Sequence, residues 1–256
     1  MKNRIATIAR YTALEALRTR LPVLAVIVIS ALLAASFFVR EIAITDSARF
    51  QTAFYAATVR FAMVFLAALH VIASVSREFQ DKGLDMVLAL DLPRAHYVLG
   101  KLAGFLAIAL ALALAAALPL LGLSGWDAAA QWSGSLAAEL AVIVALSLFC
   151  VLTFNQLMPA ASFVLAFYLL ARAITAVRLI SGNPVAGADA LSHQVMTWLV
   201  EALALIVPPL DAWTRTAWLV DDAATWSVLG GIAAQGALFV TILAAAAVFD
   251  LSRKNF

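Results

Sequence analysis

Few residues in this 256-residue chain are of a kind that does chemistry, and their spacing limits what they can do. Ser124 sits in Gly122-Leu123-Ser124-Gly125, a setting in which serine nucleophiles occur, but such a serine needs a base within hydrogen-bond reach. His70, His96 and His193 lie far from it and from one another, and the last apolar segment carries no histidine. A turn of small residues explains the motif more simply than an intramembrane protease, and the histidines have no metal-ligand spacing. Gly100-Lys101 is not a phosphate loop. That loop needs a glycine five residues earlier, where Ala95 stands, and a hydroxyl after the lysine, where Leu102 stands. Cys150 is the single cysteine, which excludes an internal disulfide and a cysteine-based metal site.

The ionisable residues inside apolar segments are more informative, because a charge in hydrocarbon is costly. They are Arg60, Glu139 and Arg172. Glu139 falls about 10 Å in from Trp132, and Arg172 about 12 Å in from Ile180, at 1.5 Å per helical residue. The two are expected at one depth. An ion pair holding two spans together is the simplest reading, and a polar lining of a substrate pathway is the functional one.

The elements that position these residues follow from composition. The chain is 65% apolar and 12% charged, with mean hydropathy +1.00. Too little polar residue remains to clothe a water-soluble fold, so lipid is the expected solvent. The expected fold class is an all-α integral membrane domain spanning 1–256. Six apolar runs approach the roughly 20 residues that cross a bilayer. They lie near Leu21–Phe38, Phe54–Val75, Leu102–Leu121, Trp132–Thr153, Ala160–Leu179 and Trp226–Phe249. These runs are continuous rather than alternating, which excludes barrel strands. The first is expected to be retained: it is longer than a signal h-region, and Ser36-Phe37-Phe38 offers no small-x-small cleavage site.

Orientation follows from the basic residues. With the N-terminus cytoplasmic, Lys2, Arg4, Arg10, Arg18, Arg20, Arg77, Lys82, Arg94, Lys101, Arg253 and Lys254 fall inside. Arg40, Arg49, Arg60, Arg172, Arg178 and Arg215 fall outside or within spans, eleven against six. Both termini are therefore expected in the cytoplasm. Basic residues clustered beside apolar runs, with a net charge of only +2, suit a membrane surface and give no reason to expect nucleic acid.

Three segments outside the spans carry information. Residues 1–20 read as an amphipathic interfacial helix, with Ile5, Ile8, Ala9, Ala13, Ala16 and Leu17 near one face. Residues 76–101 form the most charged cytoplasmic segment. Residues 181–224, between spans five and six, are too apolar for a loop in water. Two short helices broken at Pro208-Pro209, folded against or partly into the outer leaflet, are expected there. Met196–Val207 is too short for a seventh crossing.

The stretch Arg77-Glu78-Phe79-Gln80-Asp81-Lys82-Gly83, continuing to Arg94-Ala95-His96-Tyr97-Val98-Leu99-Gly100-Lys101, resembles the type-2 ABC exporter permeases. Glu78, Gly83, Leu88, Leu90, Arg94, Tyr97, Gly100 and Lys101 fall on that family's pattern between two spans. The N-terminal helix ending near Arg18-Thr19-Arg20, the proline-containing outer hairpin and the Ser252-Arg253-Lys254-Asn255-Phe256 ending add to the likeness. Leu84 stands where many members have threonine, and Pro93 lies two residues beyond their proline position at Asp91.

The resemblance implies the transmembrane subunit of an ATP-driven exporter with no enzyme activity or cofactor of its own. ATP and magnesium would be bound by a separate ABC ATPase subunit. A second permease copy or paralogue would pack beside this chain, and membrane lipid would surround both. Arg77, Glu78, Asp81, Gly83, Asp85, Leu88, Leu90 and Arg94 would then form the coupling surface for the ATPase. Small residues such as Ala111, Ala115, Ala116, Gly230 and Gly231 would allow close helix packing. The alternative class is a non-transport scaffold or anchor subunit. A secondary transporter is less favoured, since no internal repeat is apparent and Glu139 is the only clear acidic residue within a span.

Overall fold

The computed structural model describes residues 2–81, 93–182, 191–221 and 225–253. Among them the chain is all-helical, with no strand. The helices are α1 (Lys2–Arg18), α2 (Leu21–Ile42), α3 (Ser47–Gln80), α4 (Arg94–Leu123), α5 (Trp126–Phe154) and α6 (Leu157–Gly182), followed by α7 (Leu191–Ile206), α8 (Leu210–Trp213), α9 (Ala217–Val220) and α10 (Trp226–Arg253).

Six of these, α2 to α6 and α10, are long and apolar enough to cross a bilayer, and the protein is an integral membrane protein. They coincide with the six expected runs, and all six extend further. The run Phe54–Val75 lies within the 34-residue α3, which is about 51 Å long and so longer than the hydrocarbon core is thick. Helix geometry persists past the apolar stretch because backbone hydrogen bonding does not depend on side-chain polarity. The sixteen-residue α7 is not among the six.

Connections of two to four residues join α2 to α3, α4 to α5 and α5 to α6, so each pair packs antiparallel. Helix α5 is the centre of the bundle: 72% of its membrane window is buried within the protein, against at most 44% for any other span. It is apolar on all sides, as a helix surrounded by other helices must be, and it buries Trp132, Leu136, Leu140 and Ile143 completely. Helix α2 is the opposite case. It is 11% buried and turns Val23, Val26, Ile27 and Phe38 outward, where lipid solvates them.

Two backbone details shape the bundle. Gly125 adopts φ +86°, a left-handed conformation open to glycine, and starts α5 immediately after α4 ends. Pro119 interrupts the ladder of α4, and the Tyr55 hydroxyl of α3 donates to the nearby Ala116 carbonyl at 3.0 Å.

Gly230 and Gly231 face open space in the single chain, whereas Gly100 and Gly104 of α4 lie directly under α1. A Cβ at Gly100 would stand 2.7 Å from Ile8 Cβ, and one at Gly104 would stand 2.8 Å from the Ala9 carbonyl oxygen. The spacing Gly-x-x-x-Gly puts both on one face of α4, and the loss of both side chains lets the α1 backbone descend onto it. Helix α1 therefore buries Thr12 and Ala16 against the protein and leaves Tyr11 and Leu17 exposed.

Candidate functional site

Two polar clusters form at opposite ends of the bundle. The first gathers the charged residues of the spans. Arg172 Nη1 of α6 stands 3.6 Å from Glu139 Oε1 of α5, and Glu139 has no exposed surface. The Thr214 hydroxyl, between α8 and α9, donates to Glu139 Oε2 at 2.6 Å. Arg60 of α3 lies within electrostatic range of both Glu139 and Arg172. Tyr168 of α6, also buried, borders the same group.

Sequence reasoning placed Glu139 and Arg172 at one depth and singled out Arg60, but missed what the arginines hold. Arg60 donates to the Thr214 carbonyl at 2.6 Å, and Arg172 donates to the Leu210 carbonyl at 2.8 Å. Both carbonyls belong to the irregular stretch Val207–Val220, which does not lie outside the bundle as an open loop. It inserts between α3, α5 and α6, burying Leu210, Trp213 and Thr214 almost completely. Irregular backbone at this depth is tolerated only when protein groups satisfy its carbonyls, and two guanidiniums do so here. Trp213 adds a hydrogen bond from its indole nitrogen to Gln235 Oε1 of α10 at 3.2 Å. Two helices are expected in 181–224; its described residues form three, α7, α8 and α9, because the chain breaks again after Trp213. Residues 183–190 and 222–224 of that segment lie outside the described residues.

The arrangement brings two guanidiniums to one buried carboxylate. Its chemistry as built is electrostatic: it can fix helices or bind charge. Ser124 supplies nothing further. Its hydroxyl donates to the Leu120 carbonyl at 3.0 Å and closes the last turn of α4. No group of three or more His, Cys, Asp or Glu residues suited to a metal occurs among the described residues.

The second cluster gathers residues flanking the segment 82–92. Glu78, near the end of α3, accepts hydrogen bonds from Lys101 Nζ and, at 2.6 Å, from the Tyr97 hydroxyl, both on α4. Glu15 of α1 approaches Lys101 at 3.9 Å. The Lys101 side chain is 8% exposed, so its charge is largely withdrawn from water and matched by two carboxylates. Arg94 begins α4 and donates to the Leu251 carbonyl at 2.8 Å and the Ser252 carbonyl at 3.1 Å, at the C-terminus of α10. A cation at that position meets the negative end of the helix dipole.

Of the expected coupling residues, Arg77 and Asp81 are exposed and Glu78 turns its carboxylate inward. Gly83, Asp85, Leu88 and Leu90 lie outside the described residues, as do Lys254–Phe256 of the C-terminal motif. The signal that would have revealed the α1 contact is the Gly100-x-x-x-Gly104 spacing itself. No protein-family model matches this chain, and no curated protein is similar enough to count as a relative.

Proposed function

We propose that the chain is the transmembrane permease subunit of an ATP-driven exporter of the type-2 ABC class, embedded in a bacterial inner membrane with both termini cytoplasmic. ATP would be hydrolysed by a separate ATPase subunit, and a second permease copy or paralogue would complete the pathway. One observation supports this reading best. Glu78, Arg94, Tyr97, Gly100 and Lys101, the motif residues that are described, converge around the roots of α3 and α4. They tie those two helices to each other, to α1 and to α10. A force applied to the intervening segment 82–92 would thus reach four helices rather than one. In this proposal α1 lies at the inner membrane surface, and α7 to α9 form an outer hairpin entering the bundle.

The test is co-purification of an ABC ATPase with the full-length protein, together with ATP hydrolysis in nanodiscs. Leu88→Asp places a charge on an apolar residue of the proposed contact while leaving every span unaltered. It is expected to weaken ATPase binding about 30-fold, as loss of an interfacial anchor worth about 2 kcal/mol does. If no ATPase accompanies the unmodified protein, or if binding and hydrolysis survive Leu88→Asp, the exporter reading fails and a scaffold or anchor role replaces it.

Orientation has its own test. Reporter fusions after Arg94 and at the C-terminus are expected to read cytoplasmic, and fusions near Gly125 and Ala188 external, from the distribution of lysine and arginine. An external C-terminus would overturn the six-span topology.

A further inference from the structure

A cleft of about 600 Å³ opens between the elbow that joins α1 to α2 and the C-terminal half of α3. Its rim is cationic: Arg18 and Arg20 come from the elbow and Arg77 from α3, with Glu15 as the one carboxylate. Glu15 also faces Lys101, so the rim as a whole carries an excess of positive charge. All three arginines are exposed, and no ion pair engages them among the described residues. Below the rim the lining is mainly apolar, with Leu24 of α2 and Leu66 and Leu69 of α3, and His70 and Ser74 of α3 are the polar side chains between them and the rim. Arg77 and Leu66 are eleven positions apart on one helix, which places them about 16 Å apart along its axis. That is about half the thickness of the hydrocarbon core.

The elbow is also held in shape. Thr19 donates its hydroxyl to the Ala16 carbonyl at 2.6 Å and accepts the Leu21 amide at 3.3 Å, while α1 is seated on Gly100 and Gly104. Arg18 and Arg20 are thus presented from an ordered turn rather than from a loose tail.

We propose that this cleft binds one anionic phospholipid, its phosphate on Arg18, Arg20 and Arg77 and an acyl chain in the slot along Leu24, Leu66 and Leu69. Guanidinium groups match phosphate oxygens in geometry and charge. Basic pockets between membrane helices at the headgroup level select anionic lipids over zwitterionic ones. Charge at the rim with an apolar slot one leaflet deep fits a lipid better than a free anion, which would leave the slot unfilled. The proposal rests on the protein being membrane-embedded and does not depend on an ATPase partner.

The experiment uses the full-length protein in detergent, read by native mass spectrometry and by the thermal-unfolding midpoint. The probes are dioleoyl phosphatidylglycerol, dioleoyl phosphatidylcholine and inorganic phosphate. Phosphatidylglycerol is expected to remain bound and raise the midpoint, with the other two giving neither effect. The double change Arg18→Gln/Arg20→Gln is expected to lower phosphatidylglycerol affinity about 30-fold. Arg4→Gln/Arg10→Gln removes equal charge from exposed positions on α1 away from the cleft and is expected to leave affinity unchanged. Leu69→Trp fills the slot without altering charge and is expected to weaken the lipid as well. Equal binding of phosphatidylcholine, equal loss in Arg4→Gln/Arg10→Gln, or unaltered affinity in Leu69→Trp would overturn the proposal. So would stabilisation by inorganic phosphate alone, which would indicate a simple anion site.

Discussion

Glu139→Gln is expected to lower the unfolding midpoint in detergent by about 10 °C, corresponding to a loss of about 3–5 kcal/mol when one partner of a buried pair is removed. The reason is a local charge count. Among the described residues Glu139 is the carboxylate that pairs with Arg172 and lies in electrostatic range of Arg60, and it is fully buried. Without it two guanidiniums remain beside each other, both committed to the Thr214 and Leu210 carbonyls. Arg172→Gln should cost less, because Arg60 remains near the carboxylate. The double change should cost less than the two single losses added together, since the pair no longer leaves an unmatched charge. Strict additivity would show that the 3.6 Å approach of Arg172 and Glu139 carries no coupling. The cluster would then be a polar lining rather than a tie between α5 and α6.

The second large effect is expected at Gly104→Leu. The first added carbon would lie 2.6 Å from Thr12 Cβ and 2.8 Å from the Ala9 carbonyl oxygen, and a backbone oxygen cannot rotate aside. Helix α1 must lift, losing the burial of Thr12 and Ala16 and the approach of Glu15 to Lys101. Overpacking of this kind costs about 1–3 kcal/mol, so the detached state should become at least about fivefold more populated. Limited trypsin digestion reads this directly, with cleavage after Arg10 and Arg18 accelerated while α2 to α6 stay protected. Gly230→Leu is the matched control, because a Cβ there meets nothing within 4 Å and its effect should stay within about 0.5 kcal/mol. Equal digestion of the two variants would mean that α1 is not held by its glycine seat.

Much of the architecture could be read from side-chain type alone. The six spans, the helical N-terminus and the break at Pro208-Pro209 follow from apolar run length and from proline chemistry. Arg60, Glu139 and Arg172 could be singled out for the same reason, since hydrocarbon penalises charge wherever it falls in the run. Glu78 shows where such reasoning stops. Its position beside charged neighbours suggests an exposed contact residue, yet its carboxylate faces Tyr97 and Lys101, nineteen and twenty-three positions away.

Hydropathy is a sum over neighbours along the chain, so the sequence by itself determined that this protein is an all-helical membrane protein and where its spans lie. Which polar groups meet was decided only by the tertiary structure. Thr214 reaches Glu139 across 75 positions and Arg60 across 154, and Arg94 reaches Leu251 across 157. The need for a partner is local, because a buried charge or carbonyl is costly wherever it sits. The identity of the partner is not, because it depends on how helices distant in sequence come to lie side by side.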